Sequence, residues 1–209
     1  MPPKIIVVSN GKGGVGKTTT AMGLSAIFSE RYEVLTVDAD SQGSCSWWAT
    51  RGKMPFDVAQ ETDPKLLGRL RKVEGYDFVI VDTAPALRSD ALKAVIAIAD
   101  YMVLPTPCAP MDLSALIEVV KATVKPAGIP HRVLLTKVDV RSTGEALEAQ
   151  NTLIKLGIPV CKTFIRIYKA HERAALEGLP ITQLKGKNAR EAAADYRRVA
   201  AEIQRDWRQ

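Results

Sequence analysis

Directly after a short apolar run, Ile5-Ile6-Val7-Val8, the chain reads Gly11-Lys12-Gly13-Gly14-Val15-Gly16-Lys17-Thr18 and then enters a segment of helical period. This matches GxxxxGK[ST] at every position, placed between a strand and a helix. The glycines let the backbone curl so that successive N–H groups point at phosphate oxygens, and the helix N-terminus adds a favourable dipole. Lys17 neutralises the β and γ phosphates, and the Thr18 hydroxyl is offered to Mg²⁺. A nucleotide-binding loop over Gly11, Lys12, Gly13, Gly14, Val15, Gly16, Lys17, Thr18 and Thr19 is therefore expected.

Further continuous apolar runs recur at Val34-Leu35-Thr36-Val37, Phe78-Val79-Ile80-Val81, Tyr101-Met102-Val103-Leu104 and Arg132-Val133-Leu134-Leu135, with a weaker sixth candidate from Val160 to Phe164. Runs that do not alternate are buried on both faces, as in a parallel sheet covered by helices. Between them, Lys17 to Arg31 places Ala21, Leu24, Ile27 and Phe28 on one face, and Asp63-Pro64 supplies an N-cap and a first-turn proline. Helices are also expected from Asp90 to Ala99, Asp112 to Lys125, Gly144 to Leu156, Tyr168 to Glu177 and about Asn188 to Trp207. With no internal repeat and no linker, the pattern predicts one doubly wound α/β domain over residues 1–209, a mostly parallel sheet flanked by helices. Such sheets bind ligands at the carboxyl ends of their strands.

Composition narrows the class. A chain that is 46% hydrophobic and 25% charged is globular rather than disordered. Its longest apolar run falls far short of the roughly 20 residues of a membrane span, and Met1-Pro2-Pro3-Lys4 opens no signal peptide, so a cytoplasmic protein is expected. Cys45, Cys108 and Cys161 show no CxxC spacing, and two histidines are too few for a zinc site. The net charge of +6 is unevenly spread: Met1 to Pro159 holds 18 basic and 17 acidic residues, and Val160 to Gln209 holds 11 and 6. A basic surface of that kind attracts nucleic acid or anionic membrane.

Lys12 is not needed to hold phosphate from the side that Lys17 already occupies. With it, Lys12-Gly13-Gly14-Val15-Gly16-Lys17-Thr18-Thr19 resembles the deviant Walker A box of the ParA/MinD family of P-loop ATPases. The resemblance implies ATP and Mg²⁺ as cofactors and an ATP-sandwich homodimer, in which Lys12 reaches the partner's nucleotide much as an arginine finger does. Asp38-Ala39-Asp40-Ser41-Gln42-Gly43 is similar to the family's DxDxQG box, which implies that Asp40 orients the attacking water; Ser41 stands where a proline is usual. Phe78-Val79-Ile80-Val81-Asp82 resembles the Walker B box, implying that Asp82 holds Mg²⁺ with Asp38 in its outer shell. Lys12, Lys17 and Asp40 are the catalytic candidates. Ala84-Pro85-Ala86-Leu87 resembles the second switch of the family, and Trp47-Trp48 lies in the core or near a nucleotide-sensing surface.

Thr136-Lys137-Val138-Asp139 resembles the [NT]KxD box with which GTPases read guanine, against the adenine implied by the deviant Walker motifs. Pro105-Thr106-Pro107 and the segment after Phe164 stand where family members shape the base pocket. Within the family, ParA-like members bind DNA without sequence preference and MinD-like members carry an amphipathic membrane helix. Here Ala192, Tyr196, Val199, Ala200, Ile203 and Trp207 form a stripe of small and core-sized residues, and acids are interspersed on the other face. This favours packing over membrane insertion. The short ParA-like branch is the better match, with Lys162, Arg166, Lys169, Arg173, Lys185, Lys187, Arg190, Arg197 and Arg198 as candidate phosphate contacts to non-specific DNA. The resemblance implies a nucleoid-associated positioning ATPase whose hydrolysis is stimulated by a ParB-like or adaptor protein bound to a cargo: a plasmid, a chromosome region, a carboxysome or a chemoreceptor cluster. The alternatives are a MinD-like membrane-associated ATPase and a metabolic ATPase or GTPase of the same fold.

Overall fold

The computed structural model describes residues 2–86 and 89–207. Six strands, β1 (Lys4–Val8), β2 (Val34–Ala39), β3 (Asp57–Gln60), β4 (Phe78–Thr83), β5 (Tyr101–Thr106) and β6 (His131–Leu135), form one parallel sheet in the order β3-β2-β4-β1-β5-β6. The helices are α1 (Lys17–Phe28), α2 (Ser44–Thr50), α3 (Pro64–Leu67), α4 (Asp90–Ile96), α5 (Pro110–Val119, continued by a π turn to Val124), α6 (Thr143–Lys155), α7 (Lys169–Glu177) and α8 (Lys187–Asp206). The strand order reverses direction at β1, so the carboxyl ends of β1, β2 and β4 open onto one crevice.

Alternate residues of each central strand feed two cores. Ile6, Val8, Ile80 and Val103 pack on one face with α1, α7 and α8, and Ile5, Val7, Val79 and Leu104 pack on the other with α4, α5 and α6. The stripe of the last helix is packing: Ala192, Tyr196, Val199, Ala200 and Ile203 are buried, and the Tyr196 ring lies where a Cβ on Gly23 of α1 would sit 2.6 Å from it. No described helix is long and apolar enough to cross a membrane.

Two elements differ from expectation. The sixth strand is Asp57–Gln60, at the β2 edge, and the segment from Val160 to Phe164 makes only isolated bridges beside β6, Val133 to Val160 and Val138 to Arg166. Its ladder is broken because the Glu202 carboxylate takes the N–H groups of Lys162 (2.7 Å) and Thr163 (2.9 Å). The seven-residue helix α2, which carries Trp47 and Trp48, is also additional.

Candidate nucleotide-binding site

The loop from β1 to α1 curls through glycines in the left-handed region, Gly14 at φ 70° and Gly16 at φ 94°, a conformation that costs a residue without Cβ little. Neighbouring strands brace it. Asn10 Nδ2 donates to Pro105 O (2.8 Å), Asn10 Oδ1 accepts from Lys12 N–H (2.9 Å), and Thr136 Oγ1 donates to Val15 O (2.8 Å). Lys17, 7% exposed, donates to the Lys12 carbonyl at 2.8 Å. An ammonium has three donors, so two remain for phosphate. Burial pulls the Lys17 pKa below its ordinary value, opposed by Asp82 and Asp40.

At the end of β4, Asp82 accepts from Thr18 Oγ1 (2.7 Å) and from the Cys45 thiol (3.3 Å) through Oδ2. Its Oδ1 is buried with no hydrogen-bond partner, and burial pushes the carboxyl up to about 6. A hydroxyl beside a carboxylate with an uncommitted buried oxygen suits a hard cation such as Mg²⁺, which takes oxygen ligands and completes its shell with water and substrate phosphates. Thr18 and Asp82 thus fit that ion, while no group of three or more His, Cys, Asp or Glu among the described residues could hold a metal unaided.

Asp38 is fully buried, and both its oxygens are taken by backbone, Oδ1 by Asp40 N–H (3.2 Å) and Oδ2 by Ser46 N–H (2.9 Å). It thereby shapes the turn that carries Asp40. Asp40 lines the same cleft as Lys17 and Thr18, with Oδ1 accepting from Gln42 N–H (3.0 Å). Lys12 extends to the start of α5, where Nζ donates to Asp112 Oδ1 (3.0 Å) and Met111 O (3.2 Å). Lys12 thus extends away from its own loop.

The cleft, about 790 Å³, runs from the loop past Thr136 and Lys137 to Ile165, Tyr168 and α7. Asp139 is not among its lining residues. Its carboxylate is clamped by Arg141 (2.8 and 3.1 Å), which holds it down at about 2. A guanine reader must face the base, so the guanine-box likeness carries no site. Pro105, expected at the base pocket, instead braces the phosphate loop through its carbonyl. Trp48 is buried in the core, with Nε1 donating to Leu179 O (3.0 Å), while Trp47 is 48% exposed at the cleft under the Arg51 guanidinium. Of the candidate second switch, Leu87 lies outside the described residues and Pro85 lines the cleft.

The nine basic candidates divide. Arg166 is paired with Asp195 (2.8 Å) and Glu191 (2.9 Å), Arg173 with Glu177, Arg197 with Glu30, and Arg198 with Asp195. Lys162, Lys169, Lys185, Lys187 and Arg190 are exposed and form no ion pair among the described residues. Asn10, Thr136 and Ser46, which brace the loop and the Asp38 turn, carry no motif signature of their own.

A parallel sheet with a glycine loop at its switch point, a buried lysine and a Thr–Asp pair defines a P-loop nucleotide-binding protein. Residues 6–181 match the CobQ/CobB/MinD/ParA nucleotide binding domain, and the chain belongs to that family. It is 64% identical over 208 residues, 99% of this chain and 96% of the relative, to the maintenance of carboxysome distribution protein A of Gloeobacter kilaueensis. A protein of the same description from Halothiobacillus neapolitanus is 30% identical over 95% of both chains. The septum site-determining protein MinD of Pyrococcus horikoshii, solved with Mg-ADP, shares the fold at TM-score 0.78 and 21% identity over 96% of both chains.

Proposed function

We propose that the chain, acting as one unit over residues 1–209, is a Mg²⁺-dependent ATPase that dimerises around ATP, binds DNA without sequence preference as the dimer, and distributes carboxysomes with a partner protein that stimulates hydrolysis. The 64% identity across 99% of the chain to a carboxysome distribution protein supports this most directly. Adenine is favoured over guanine because Asp139 is engaged by Arg141 away from the cleft.

Phosphoryl transfer depends on positioning and charge neutralisation more than on covalent chemistry. The loop amides and the two uncommitted donors of Lys17 hold the phosphates from one side. Asp40, held by the Asp38 turn at the cleft, orients the attacking water. Mg²⁺, held by Thr18 and Asp82, supplies further neutralisation of phosphate charge. Lys12 leaves Asp112 and enters the partner's site, so turnover requires two copies. Cations without carboxylate partners, Lys162, Lys169, Lys185, Lys187 and Arg190, contact DNA phosphates, and pairing two subunits doubles their number.

The test is genetic replacement in the carboxysome-containing host. Loss of the gene should cluster fluorescent carboxysomes, and the wild-type gene, but not its Lys12→Ala form, should restore their spacing. Even spacing in the absence of the gene would refute the assignment.

A further inference from the structure

Helix α7 is a wall shared by two grooves. One face, with His171, Glu172 and Ala175, borders the nucleotide cleft. The other, with Lys169 and Arg173, borders a groove of about 570 Å³ closed by Lys185 and Lys187 at the start of α8. Three of these four cations, Lys169, Lys185 and Lys187, form no ion pair among the described residues.

Helix α2 connects α7 to the phosphate end of the cleft. Its first turn is tied to the two buried carboxylates there, Ser46 N–H to Asp38 Oδ2 (2.9 Å) and the Cys45 thiol to Asp82 Oδ2 (3.3 Å). The chain at its other end is tied to the end of α7: Trp48 Nε1 to Leu179 O (3.0 Å) and Arg51 Nε to Leu176 O (2.9 Å). Between those bonds the backbones of Gly52 and Gly178 touch. A Cβ on Gly52 would lie 2.2 Å from the Gly178 carbonyl oxygen, and one on Gly178 2.3 Å from the Arg51 carbonyl carbon. Seven helical residues at 1.5 Å each make a rod of about 10 Å. A rod so short, bonded at both ends and close-packed, moves as a body rather than absorbing a displacement.

We propose that α2 is a strut through which the state of the phosphate site sets the position of α7, and through it the shape of the basic groove. The proposal rests on the reading of that groove as a DNA-phosphate surface, and it supplies the physical link between nucleotide and DNA. ATP rearranges the surroundings of Asp38 and Asp82, the strut shifts, and the shared wall shifts with it. Linkage makes the effect reciprocal: DNA in the groove strengthens ATP binding by the same factor by which ATP strengthens DNA binding.

The strut is tested by hydrogen–deuterium exchange over residues 169–178 in the full chain, with and without saturating Mg-ATP, for the wild type, Gly52→Ala and Arg51→Ala. Gly52→Ala forces the two backbones apart; Arg51→Ala removes one tie from the surface and guards against a folding defect in the first. Exchange in the wild type should change by about fivefold or more, the low end of typical coupling factors. In the variants the change should fall below about twofold while ATP affinity, carried by the phosphate loop, stays within about threefold. An unchanged α7 on ATP addition to the wild type would overturn the proposal, as would a full-sized change in both variants. DNA co-sedimentation run alongside separates the two readings: no DNA binding by the wild type in any nucleotide state refutes the DNA surface, and the exchange result still judges the strut.

Discussion

Arg166 is basic, lies in the charge-rich final quarter, and yet should contribute nothing to DNA affinity. Its guanidinium makes two bonds to Asp195, Nε at 3.0 Å and Nη2 at 2.8 Å, and a third to Glu191 at 2.9 Å. Asp195 is 1% exposed, so Arg166→Ala would leave a buried carboxylate with only Arg198 and the Arg166 N–H to answer it. Breaking a buried pair from one side costs about 3–5 kcal/mol. The guanidinium is 21% exposed and Arg198 remains, so about 2–3 kcal/mol is the expected loss here. For a domain of this size that is a fall of roughly 4–12 °C in thermal midpoint. Lys185→Ala, by contrast, removes an exposed cation with no ion pair. It should leave the midpoint alone and reduce the salt slope of DNA binding by about 0.9, the value for one phosphate contact. Thermal melts beside DNA titrations at several salt concentrations read both quantities. If Arg166→Ala lowers the salt slope as Lys185→Ala does and melts normally, the division of cations into paired and available is wrong.

Asp40→Ala should bind ATP and accumulate as an ATP-bound dimer, seen by size-exclusion chromatography with light scattering; an unchanged hydrolysis rate removes Asp40 from its role. Gly23→Ala should destabilise the fold by about 1–3 kcal/mol, because the Tyr196 ring at 2.6 Å outweighs the roughly 1 kcal/mol helix-propensity gain; Tyr196→Leu in the same chain should recover part of the loss in denaturant melts. Burial lowers the His171 pKa, so the unfolded chain binds this proton more readily. The stabilisation from keeping it neutral is complete above the unfolded value of about 6.5 and is lost as pH falls below it, by up to about 1.4 kcal/mol per unit until the folded pKa is reached. His171→Gln should flatten that part of the stability profile.

The phosphate loop, Asp40, Asp82 and five of the six strands could be read from the chain because each is a local pattern: a glycine spacing, or an apolar run ended by an acid. The edge strand Asp57–Gln60 could not, since an edge position asks for no apolar run, and three of its residues are polar or small. Nor could α2, where seven residues rich in Ser, Trp and Thr offer neither helix propensity nor a readable period, and tertiary ties to α7 hold the helix instead. The segment from Val160 to Phe164 has strand composition but loses its ladder to Glu202, about forty residues away in sequence, which no window can see. Charge misled in the same way. Arg166, Arg173, Arg197 and Arg198 are indistinguishable in sequence from Lys185 and Lys187 until the fold brings them against Asp195, Glu177 and Glu30. The guanine-box likeness of Thr136 to Asp139 ends for a similar reason: Arg141, two residues on, engages the carboxylate.

The central claim is that nucleotide creates the DNA-binding form by pairing two chains through Lys12. Its most direct measurement is DNA retention of the full chain with Mg-ATP, with ADP and without nucleotide, at two salt concentrations, beside Lys12→Ala. The account predicts retention by the wild type with ATP alone, falling steeply at the higher salt, and none by Lys12→Ala under any condition although it still binds ATP. Equal retention by the nucleotide-free protein, or ATP-dependent retention by Lys12→Ala, would contradict it.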